Sequence, residues 1–148
     1  MIEHPNRAKA AARVMRLLVV ALLVVSALIV IVISIGAWDV LVGAKAVQVA
    51  YVVLYLGIAL LVARWHRGVL PVAAALAVVL AIFALVSVPG WLSRDKDGFT
   101  DPAIASEVIG GLTALLALLQ VALIVAAMRG FQQAWHVELE RPREAVGR

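Results

Sequence analysis

The chain has no cysteine and a single asparagine, Asn6. Without thiols it can form no disulfide, no thiolate metal site, no thioether-linked haem and no thiol redox couple. Asn6 is followed by Arg7 and Ala8, so no N-glycosylation acceptor exists. Histidine is scarce as well, and His4, His66 and His136 all lie outside the long apolar runs. A haem held inside a helix bundle needs axial ligands there, so a b-type haem is disfavoured. Di-iron carboxylate sites need several Glu and His residues facing inward. Only Glu107 is on offer, just before an apolar run. His136-Val137-Glu138 fits H-x-E in form, but no P-C-x-x-C follows it. The H-E-x-x-H, P-loop, G-x-G-x-x-G and G-x-S-x-G patterns are missing too. The reading is of a protein without catalytic residues, metal or cofactor.

What the chain has instead is apolar length. Of its 148 residues 65% are apolar, and the mean hydropathy is +1.06. Soluble domains run nearer about 45–50%. The excess lies in four charge-free runs, 17–38, 46–63, 68–93 and 108–128, of 22, 18, 26 and 21 residues. Each is roughly 27 Å or longer as a helix, against a hydrocarbon core of about 30 Å. Open strands cannot cross lipid, because their backbone edges would go unpaired. The sequence therefore predicts an all-α, four-helix transmembrane bundle with spans near 17–38, 44–63, 69–89 and 103–128. Residues 1–16 form a basic tail, 90–102 an outer loop and 129–148 a C-terminal tail. The first run is longer than the about 7–15 residues of a signal-peptide core, so it reads as an uncleaved span.

Charge sets the expected orientation. Ten Lys/Arg fall on the side of the two tails and the 64–67 turn, and three on the other side, Lys45, Arg94 and Lys96. The positive-inside rule then places both termini in the cytoplasm, in a bacterial plasma membrane. Trp38, Trp65, Trp91 and Trp135 each fall at the end of a span, as an aromatic belt would place them. Lys9, Arg13 and Arg16 share a helical face suited to anionic lipid headgroups, a simpler partner for the net charge of +4 than nucleic acid. A membrane-protein partner or a homo-oligomer is also compatible with the spans.

The connections are short. Arg64-Trp65-His66-Arg67-Gly68 is a tight turn that should make the second and third spans antiparallel neighbours. Asp95-Lys96-Asp97-Gly98 reads as a solvated turn, since most of a calcium loop is missing. Asp101 can cap the fourth helix, with Pro102 at its first position. Phe131, Trp135 and Leu139 recur every four residues, on a face that could lie on the membrane or on a partner.

Three faces carry the remaining information. The fourth span has Ser106, Gly110, Thr113, Ala117 and Gln120 at helical spacing, which lets backbones approach closely and bond across, within the bundle or to a partner. The third has Ala73, Ala77, Ala81 and Ala84 on one face. The second carries Lys45, Gln48, Val52, Tyr55 and Ala59, its most polar face, either bonded between helices or lining a small pocket. Lys45 and Glu107 stand at the same end of their spans, which suggests an interhelical ion pair fixing register or, alternatively, a coupling carboxylate at an outer entrance.

The chain resembles the uncharacterised, small four-helix integral membrane proteins common in actinobacteria. The carrying residues are the Ala/Val/Leu-heavy spans, Trp91 in the outer loop and the exit segment Gly130-Phe131-Gln132-Gln133-Ala134-Trp135-His136-Val137-Glu138. The resemblance implies the fold and brings no activity. The small multidrug exporters also have four spans, but their essential Glu is in the first, which here has no charge. The expectation is a non-enzymatic accessory subunit or scaffold in a membrane complex. The alternative is a small transporter or channel with Glu107 and Lys45 at its outer entrance.

Overall fold

A computed structural model of the chain describes residues 2–3, 5–37, 45–92, 106–133, 135 and 139–140. Among these are four long helices: α1 (Ala10–Gly36), α2 (Lys45–Ala63), α3 (Leu70–Leu92) and α4 (Ser106–Gln132). All four are long and apolar enough to cross a membrane. Trp38, the Asp95–Gly98 turn, the Asp101-Pro102 cap, His4 and His136 lie outside the described residues.

Side-chain periodicity fixes which face of each helix is buried. On α1, Val19, Leu23, Ser26, Val30 and Ile33 form an inward stripe, while Leu17, Leu28 and Ile35 face outward. An outward row of leucines and valines would be a defect in water. In lipid it is the solvent-facing surface. On α3 the alanine face Ala73, Ala77, Ala81 and Ala84 is buried, and α3 packs most extensively on α4. Small side chains allow that close approach. α1 packs on both α2 and α4, so the helices lie in the order α2, α1, α4, α3.

The expected neighbour relation of α2 and α3 is corrected by this order. They share the short turn but meet only slightly. The alanine face of α3 is taken up by α4. The turn itself is a helix stop of unusual composition. The Trp65 N–H bonds Val62 O at 2.9 Å and the His66 N–H bonds Leu61 O at 3.0 Å. That is the Schellman pattern, whose left-handed residue is usually glycine. Here Trp65 occupies it, at φ 66°. A short 3-10 turn, Arg67–Val69, then leads into α3.

α3 continues three residues past the expected boundary, through Pro89 to Leu92. Proline in the last turn removes one N–H bond without a following turn to disrupt. α4 starts with Glu107 in its first turn and has Arg129 in its last, each matching the helix dipole. The two tails meet at one end, where Ile2–Glu3 pairs antiparallel with Leu139–Glu140. That end is called the tail end below, and the opposite one the far end.

Candidate functional site

Three layers of polar structure run along the bundle. The middle layer joins three helices. Tyr55 of α2 donates its hydroxyl to Gln120 Oε1 of α4 at 2.6 Å. Gln120 Nε2 donates to Ser26 Oγ of α1 at 2.9 Å and to Leu116 O at 3.2 Å. All three side chains are 0% exposed. In hydrocarbon an unpaired amide is costly, so each of these groups holds the others in place. Tyr51, one turn along α2, donates to Leu76 O of α3 at 3.0 Å and meets Tyr55 edge-on at 5.5 Å.

The tail-end layer is built from arginine and tryptophan. Trp135 is fully buried and packs edge-on against Trp65 at 5.1 Å. The Arg16 guanidinium lies 4.4 Å from the Trp65 ring centre, and its Nη1 donates to Ala63 O at 3.0 Å. Arg67 sits 3.6 Å over Phe131 and donates from Nε to Phe131 O at 2.6 Å. Arg7 Nε donates to Trp135 O at 3.0 Å. Ala63 and Phe131 end α2 and α4, so Arg16 and Arg67 sit where the helix dipole favours a cation. Gly130 allows the closeness: a Cβ there would lie 3.3 Å from both Leu70 Cδ1 and Trp135 Cζ2.

These contacts revise three expectations. Trp135 is interior and not a headgroup anchor. Phe131, Trp135 and Leu139 do not share a helix face, because α4 ends at Gln132 and Leu139 lies in a short strand. Arg16 turns inward, leaving Lys9 and Arg13 as the exposed cations of their helical face. The signal for this arrangement was available in the alternation of Arg and Trp at the ends of spans, but composition alone does not distinguish a ring facing lipid from one facing another ring.

The far-end layer is open. A cavity of about 310 Å³ lies between α2 and α3, floored by α1 and α4. Val30, Ile33, Leu80 and Leu116 make its apolar part, and Gln48, Tyr51, Ser87, Trp91 and Thr113 its polar part. It opens sideways past Val47 and Phe83, both about half exposed. Sequence reasoning placed Gln48 and Thr113 on polar faces but missed Ser87 and Trp91 as members of one site.

The structure brings some of the sequence-derived candidates together and separates others. Tyr55 and Gln120 meet directly. Gly110 and Thr113 are buried, and Gln48 is half-buried beside Ser34. The Ser106 side chain lies outside the described residues. Glu107 is exposed and Lys45 is half-buried with an interaction of its own, and neither is among the described residues that line the cavity. Among the described residues no cluster of three His, Asp or Glu could hold a metal. No family model, curated protein or solved structure matches the chain.

Proposed function

We propose that the chain is a non-enzymatic multi-pass protein of the plasma membrane, with both termini cytoplasmic, acting as an accessory subunit or scaffold in a membrane complex. The observation that carries this reading is the tie between Ser26, Tyr55 and Gln120. The deepest polar groups of the bundle are bonded to one another across three helices. A transport path through the centre would need such groups turned toward a solute; here they fix the helices. The locked tail end supports the same reading, since it turns four hydrophobic helices into a stiff body that a partner can pack against.

The small transporter is the second reading, and the far-end cavity favours it. Its proposed gate does not, because Lys45 and Glu107 stand outside the cavity lining. Purification in mild detergent followed by mass spectrometry separates the two. The scaffold reading expects a heterologous membrane protein in fixed stoichiometry. A homo-oligomer that moves solute across liposome membranes would replace it with the transporter.

A further inference from the structure

The far-end cavity has a chemistry that selects its occupant. Its volume of about 310 Å³ stands at the lower end of the roughly 300–1,000 Å³ typical of ligand pockets between helices. A partner helix, about 10–12 Å across with its side chains, needs far more room. A single hydrocarbon chain fits, and the sideways opening past Val47 and Phe83 admits it from the bilayer.

The hydroxyls of the lining settle the headgroup. Ser87 donates its one hydrogen to Phe83 O at 2.7 Å. Thr113 donates to Ile109 O at 2.8 Å, and Tyr51 to Leu76 O at 3.0 Å. Each hydroxyl has only one hydrogen, and in each it is committed to a backbone carbonyl. What these three hydroxyls leave for a guest is oxygen lone pairs, which accept. Gln48 adds an amide that meets Ser34 through Oε1 at 3.2 Å, and its Nε2 hydrogens can donate to a guest. No charged side chain is among the described lining residues. A phosphate or carboxylate head would meet three accepting hydroxyls, and no cation among the described lining residues would neutralise it. An alcohol donates to those hydroxyls and can accept from Gln48.

We infer that the cavity between α2 and α3 binds a neutral, hydroxyl-bearing amphiphile with one hydrocarbon chain, its head against Gln48, Ser87 and Thr113. The chain lies against Val30, Leu80 and Leu116. This site is independent of the scaffold reading: either can fail while the other stands.

Tryptophan quenching tests it on the full chain in phosphatidylcholine vesicles. The probe is a monoacylglycerol brominated on its acyl chain, and the counter-probe is a lysophosphatidic acid with the same chain. Trp91 lines the cavity, so the difference between the native chain and Trp91→Phe isolates its signal. The expected result is saturable quenching of Trp91 by the monoacylglycerol and only unsaturable, collisional quenching by the lysophosphatidic acid. Val47→Phe, at the half-exposed rim, should abolish saturation. Ser87→Ala removes a hydroxyl bonded only within its own helix, so it spares the packing between helices. It should weaken binding by roughly two- to tenfold, the worth of one hydrogen bond. Quenching that rises linearly with both probes, equal saturation by both, or saturation unchanged in Val47→Phe and Ser87→Ala would each overturn the inference.

Discussion

The two ends of this bundle are closed by different means. At the tail end, arginines from the first tail, from α1 and from the α2–α3 turn reach aromatic rings and helix-terminal carbonyls of other elements. At the far end, Ser87 and Thr113 bond within their own helix, while Gln48 and Tyr51 reach α1 and α3 through one bond each. A hydrogen bond within a helix adds nothing to the cohesion between helices. The difference teaches that a bundle uniform in hydropathy can be strongly unequal in rigidity, because polar bonds between helices decide cohesion once every surface is apolar.

The contrast can be broken from the tail end. Trp135→Ala should be the most damaging single change, because it removes a fully buried ring together with its contact to Trp65. A loss of about 3–5 kcal/mol is expected, as for large buried aromatics elsewhere. Denaturant titration in detergent micelles measures it. Gln120→Leu tests the middle tie. It leaves the Tyr55 hydroxyl and Ser26 without their shared partner and should cost about 1–3 kcal/mol in the same assay. Tyr55→Phe should cost less, about 0.6–1.7 kcal/mol, the range of single interhelical bonds in membranes.

Two glycines of α4 sharpen the comparison at finer scale. Gly130→Val forces atoms against Leu70 and Trp135 and should destabilise by about 1–3 kcal/mol. Gly111→Ala meets nothing within 4 Å and should gain about 0.5–1 kcal/mol from helix propensity alone. Equal effects at the two positions would mean that the tail end is no more tightly packed than the far end. The smallest change is expected at Glu107→Gln. The residue is exposed and outside the cavity, so stability should stay within about 0.5 kcal/mol. Loss of a cation-driven flux in this variant would restore the transporter reading.

The fold was legible because lipid leaves few choices. Four uncharged runs of spanning length admit only helices, and the alanine face of α3 pointed to a close partner. Which helix that partner would be was not legible. A short loop suggested α2, yet small residues on α4 compete for the same face, and nothing in one sequence ranks the two. The polar faces of α2 and α4 were visible by spacing, so Tyr55 and Gln120 could be named, but not that they meet. The tail end was hidden for a different reason. Trp65 adopts a backbone conformation usual for glycine, and it does so where Trp135 and Arg16 close around its ring. A long-range contact of that kind overrides local preference and leaves no local trace.

The central claim is that α2 and α3 are held together at the tail end and stand apart at the far end. The chain has no native cysteine, so paired spin labels can be placed without background. Labels on exposed positions Leu60 and Val72 report the tail end, and labels on Val49 and Val86 the far end. Pulsed electron–electron resonance in lipid nanodiscs should give a short, narrow distance distribution for the first pair and a longer one for the second. A far-end distance as short and as narrow as the tail-end distance would contradict the account.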